Sequence, residues 1–139
     1  MRVSAWLTQF LVAAVVFSVI DVLWLSTVAA DLYDEQLGSL RAESPNVPAA
    51  VLVYLVLLAG LVHFVIHPAV EAGSWRRAVG VGAFFGFVVY GVYELTNLAV
   101  VDGWPAALVP IDMAWGTFLS AAVGVGTYAV VQRLPAWAR

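Results

Sequence analysis

Three carboxylic acids interrupt otherwise apolar stretches of this chain: Asp21, Glu94 and Asp112. A charged side chain at the centre of an apolar span costs roughly 2.5–3.5 kcal/mol, so each acid is expected to face protein or water, and its first reading is functional. The acids have companions at helical spacing. Trp24 follows Asp21 by three residues and Trp115 follows Asp112 by three, while Tyr90, Glu94 and Asn97 recur at steps of four and three with Tyr93 bordering them. Three like charges held together require a proton or a cation, and aromatic faces beside carboxyls attract cations. The residues nominated to bind a ligand are therefore Asp21, Trp24, Tyr90, Tyr93, Glu94, Asn97, Asp112 and Trp115. A structural reading stands beside this one. Asp21 would accept from an indole N–H, Glu94 would bond Asn97 or Tyr90, and Asp112 would sit near a helix N-terminus where the dipole favours an anion.

Other chemistry finds less support. His63 and His67 lie four residues apart, a spacing that suits two ligands to one metal, yet no Glu follows the first His as in a zinc protease. The carboxylates lie at another depth, so no metal site and no cofactor are nominated. Single-His ligation of a haem or chlorophyll stays geometrically open. The expectation is structural: His67 with Pro68 ends its helix at the interface, and His63 bonds a neighbouring helix. The chain has no cysteine, which excludes disulfides and thiolate chemistry. No nucleophile elbow or glycine-rich phosphate loop is present. A net charge of −3, scattered along the chain, lacks the basic stripe that nucleic acid requires.

These residues must be positioned by membrane helices. Of 139 residues, 63% are hydrophobic and 11% charged, about half the charge of a soluble domain, and the mean hydropathy is +0.96. Four continuous apolar runs, at about 5–30, 48–67, 78–101 and 106–131, are long enough to span a bilayer, and their lack of alternation excludes a membrane barrel. The expected fold is all-α, an integral membrane four-helix bundle forming a single transmembrane domain over 1–139. The first run contains an acid and is too long for a cleaved signal, so it is expected to be retained as an anchor. Residues 31–47 read as an acidic loop with a short interfacial helix around Tyr33 to Leu40, and Pro68 is expected to help end the second span. Trp6, Trp75, Trp104 and Trp137 are placed in the aromatic belt.

Arg2, Arg76, Arg77, Arg133 and Arg139 fall on one side of such a bundle and only Arg41 on the other, so both termini are expected to be cytoplasmic. By helical rise Asp21, Glu94 and Asp112 then lie roughly 12, 10 and 6 Å below the outer ends of their spans, in one layer. Gly82 and Gly86 on the third span, with Gly116, Ser120 and Gly124 on the fourth, form small-residue rows along which these two helices are expected to pack.

The run Tyr90-Gly91-Val92-Tyr93-Glu94-Leu95-Thr96-Asn97-Leu98-Ala99, then Gly103-Trp104-Pro105 and Asp112-Met113-Ala114-Trp115-Gly116, resembles the bacterial membrane proteins of domain-of-unknown-function family 2177. Asp21-x-x-Trp24-Leu25 and Gly60-Leu61 belong to the same resemblance, which covers nearly the whole chain. The chain departs from that pattern in having Glu94 for a shorter Asp and Val100 for Thr. The resemblance implies a four-span, multi-pass protein of the bacterial inner (plasma) membrane and brings no established activity.

The leading expectation is an outward-facing polar pocket that binds or translocates a small cationic or polar solute, with coupling to protons. The lipid bilayer is the expected environment, and a homo-oligomer or a partner in a membrane complex is expected for so small a chain. The alternatives are a structural or accessory subunit of a larger complex, and an enzyme modifying a lipid or isoprenoid, for which no nucleophile or metal box is visible.

Overall fold

The computed structural model describes residues 2–139, and among them the chain is all helical, with no strand. Four helical segments are long and apolar enough to cross a membrane: α1 (Val3–Leu40), α2 (Val47–Glu71), α3 (Trp75–Val100) and α4 (Leu108–Val131). Local chemistry sets their starts. The Asn46 side chain accepts the Ala49 N–H at 3.1 Å and Pro48 occupies the first turn of α2, while Ser74 accepts the Arg77 N–H at 3.3 Å at the start of α3. Gly73 and Gly103, at φ +60° and +79°, make the turns that end in α3 and lead to α4.

Short connections make successive helices alternate in direction, which puts residues 41–46 and 101–107 at one end of the bundle. The start of α1 packs against the short helix Ala136–Ala138 at the other. The most extensive contact is α3 against α4, followed by α1 against α4. The small-residue rows account for the first. A Cβ added at Gly82 would stand 2.8 Å from the Ser120 carbonyl, and one at Gly86 would fall on the Gly116 carbonyl. Without a hydrophobic drive between helices in lipid, such backbone proximity supplies the dispersion contacts that hold them.

On α1, Ala5, Gln9, Ala13 and Phe17 repeat at four and are buried, whereas Leu7, Leu11, Val15 and Val19 repeat at four on the exposed side. Phe17 joins Leu61, Val62, Val65, Ile66, Leu119 and Val123 in the core. The exposed apolar side chains, with Phe64, Phe84, Phe87 and Val92 among them, give the outer surface a bilayer requires.

Two expectations are corrected here. The short helix expected around Tyr33 to Leu40 is present, but it is no island in a loop: residues 31–40 continue α1 through a π turn at Leu25–Ala29 and the helix Ala30–Leu37. Asp31, Asp34 and Glu35 occupy its exposed side while Tyr33 and Leu37 are partly buried, and an amphipathic helix with that many acids reads as loop when composition alone is weighed. The connection proper is only 41–46. Likewise Pro68 does not stop α2, which runs on to Glu71. The ring of a proline clashes with the carbonyl four residues earlier, and the π turn at Val62–Ile66 widens the helix at that point.

At 38 residues, α1 would measure about 57 Å if straight, nearly twice the hydrocarbon thickness of a bilayer. It is not straight in its course along α4. Trp24 lies against Trp115 and Tyr33 against Asp112, so nine residues of α1 advance past only three of α4. The arm beyond the π turn therefore runs across the end of the bundle.

Candidate functional site

That crossing arm closes a cavity of about 310 Å³ lined by Tyr33, Leu37 and Arg41 from α1 and its end, Tyr90, Tyr93 and Glu94 from α3, Trp104 from the α3–α4 turn, and Leu108 and Asp112 from α4. Glu94 and Asp112 are neighbours across it. Both are buried, Glu94 completely. The Tyr33 hydroxyl donates to Asp112 Oδ1 at 2.6 Å, and the Trp104 indole N–H donates to Glu94 Oε2 at 2.9 Å. Glu94 Oε1 is buried and accepts from no donor group, and the side chain's other neighbour is the Asp112 carboxyl. A buried carboxyl oxygen without a donor costs about 1–3 kcal/mol or more when charged, so it marks a place where a proton or a ligand donor is missing.

Arg41 sits at the exposed rim. Its Nη1 bonds the Asp34 carboxylate and donates to the Ala30 carbonyl at 3.3 Å. Among the described residues its Nε and Nη2 make no protein hydrogen bond.

Of the eight nominated residues, Tyr90, Tyr93, Glu94 and Asp112 line this cavity and Asp21, Trp24, Asn97 and Trp115 do not. Trp24 and Trp115 stack face to face, with centroids 4.2 Å apart and planes 10° from parallel. Because α1 and α4 are antiparallel, the two Asp-x-x-Trp segments point their acids to opposite sides of that stack. Asp21 thus lies about one turn to one side of it and Asp112 about one turn to the other, a separation in depth near 9 Å. The three acids do not form one layer. Asp21 Oδ2 instead accepts from the Tyr54 hydroxyl of α2 at 3.1 Å, in a partly exposed niche between α1 and α2. The Tyr90 ring lies on Gly116, whose missing side chain leaves its place, and so stands between the two acids.

The structural partners foreseen for the acids also differ. Tyr54, not an indole, serves Asp21, and Trp104, not Asn97 or Tyr90, serves Glu94. Trp104, in the turn that ends the α3 span, also packs edge-on to Tyr93 and lines the cavity. Tyr33, Arg41 and Trp104 were missed as site residues. The signal existed for the first two: Tyr33, Leu37 and Arg41 recur at four.

At the opposite end His67 is buried and does not mark an interfacial helix end. Its Nδ1–H donates to Gln9 Oε1 at 3.1 Å, and its Nε2 stands 3.4 Å from Glu71 Oε1. His63 is exposed, lies edge-on to Phe64 at 4.8 Å, and bonds no neighbouring helix among the described residues.

The four long apolar helices, with this open cavity at one end, define a multi-pass, four-helix membrane protein that sits in a lipid bilayer. The chain belongs to the family of predicted membrane proteins designated domain of unknown function 2177, which it matches over residues 6–129. No curated protein and no solved structure matches it.

Proposed function

We propose that the cavity between the α1 arm and the α3–α4 pair binds a small cationic solute. The observation that carries this reading is Glu94: completely buried, beside Asp112, with Oε1 accepting from no donor group inside a cavity walled by aromatic rings. A cation placed there would answer both carboxyls and meet ring faces, a combination worth about 2 kcal/mol or more when desolvated. In this proposal Glu94 and Asp112 are the ligating acids and Tyr90 and Tyr93 wall elements. Trp24, Trp115 and Asn97 lie outside the cavity lining, and Asp21 serves a separate niche. The arginine bias supports a placement in the inner membrane of a bacterium with both termini cytoplasmic and the cavity facing outward.

A second reading has its own observations. Tyr33–Asp112 and Trp104–Glu94 each tie a peripheral segment to the bundle, as polar glue in a structural or accessory subunit would. Glu94→Gln and Asp112→Asn separate the two. Full-length protein in nanodiscs is titrated with ethylammonium chloride while melting is followed. Under the binding reading the wild type is stabilised by the ligand, and the isosteres keep their unliganded stability but lose the response. Destabilised isosteres together with an unresponsive wild type would establish glue.

A further inference from the structure

The chemistry around the cavity specifies more than positive charge. Its volume would hold about ten water molecules at about 30 Å³ each, far more than one dehydrated metal ion fills. Two carboxyls with no third His, Asp or Glu beside them make a poor metal set. Four rings, Tyr33, Tyr90, Tyr93 and Trp104, face the same space, which suits an organic cation. A primary ammonium brings N–H donors that the neighbouring Glu94 and Asp112 carboxyls can accept, and a quaternary one brings none. At the rim the polarity reverses. Arg41 lines the cavity, paired with Asp34 through Nη1 and with Nε and Nη2 unspent, and a guanidinium can take a phosphate or carboxylate by two N–H groups at once.

We propose that the cavity takes a zwitterion, its primary ammonium set between Glu94 and Asp112 and its anionic group gripped by Arg41. This rests on the cation-binding reading of the same cavity. The shared chemistry, an amine a few bonds from a phosphate or carboxylate, occurs in free small molecules and in aminophospholipid headgroups. In either case the amine goes in first, since the acids are buried and the arginine is exposed.

The test uses the full chain in phosphatidylglycerol nanodiscs, with ethylamine, phosphoethanolamine and choline as probes read by calorimetry. Phosphoethanolamine should bind about tenfold more tightly than ethylamine, the effect of one charge-assisted contact. Choline should bind about tenfold more weakly than ethylamine. Arg41→Gln should erase the preference for phosphoethanolamine over ethylamine, and Glu94→Gln should abolish binding of both. Exchanging half of the lipid for phosphatidylethanolamine identifies the source: loss of phosphoethanolamine binding by competition assigns the site to the lipid headgroup, and undiminished binding assigns it to the free molecule. Glu94-dependent ethylamine binding with no zwitterion preference, or with a preference that survives Arg41→Gln, would overturn the zwitterion and leave the cation reading standing. No binding of any amine would overturn both.

Discussion

The Tyr33 hydroxyl reaches Asp112 Oδ1 at 2.6 Å across 79 positions of sequence, fastening the crossing arm of α1 to the first turns of α4. Hydrogen bonds to a carboxylate contribute about 1.5–3 kcal/mol, and this one is half-shielded from solvent. Tyr33→Phe should therefore loosen the arm, and amide hydrogen exchange over residues 30–40 should rise while α3 and α4 stay protected. A double cycle with Asp112→Asn should give a coupling of about 1 kcal/mol or more. Unchanged exchange in the arm would mean that other contacts hold it.

The α3–α4 seam predicts a contrast between two glycines of one helix. Gly86→Ala puts a methyl on the Gly116 carbonyl and should cost about 1–3 kcal/mol of stability in detergent. Gly80→Ala meets open space and should be neutral or stabilising by up to about 1 kcal/mol through helix propensity. Equal melting of the two variants would contradict the close approach.

Much of this architecture was legible beforehand. Runs of apolar residues and the four-residue rows of glycine announce spans and their closest pair, because lipid imposes both. Glu94 and Asp112 were legible as buried acids for the same reason. What failed were assignments resting on an unbroken helical phase or on composition. A π turn inserts a residue without any signature in side-chain type, so the bend of α1 could not be read. Tyr33 and Arg41 were hidden in a stretch whose acids suggested a loop. Trp104 was hidden because an indole at a membrane end has a default role that does not announce a contact with Glu94.

The absence of cysteine makes the orientation directly testable. Single cysteines at Ser39 and Ala72, exposed at opposite ends of the bundle, should label respectively from outside intact cells and only after permeabilisation. The reverse pattern would turn the cavity toward the cytoplasm.

The pair at the other end should behave as a buried polar couple. Gln9→Leu leaves His67 Nδ1 without its acceptor and should cost about 1–3 kcal/mol. The double change Gln9→Leu with His67→Leu removes both needs together and should recover much of that loss. Additive losses in melting would show that the two side chains act independently.

The Trp24–Trp115 stack has a consequence for traffic. It lies one turn beneath Asp112, between the cavity and the niche of Asp21, and its planes are nearly parallel and in contact. On the binding reading proposed above, a guest that enters between Tyr33 and Glu94 would leave by the door it came through, and one copy of the chain in this conformation would be a socket and not a conduit. Net passage across the bilayer would require the two indoles to part, giving up a stacking contact worth about 0.5–1.5 kcal/mol beyond their buried area.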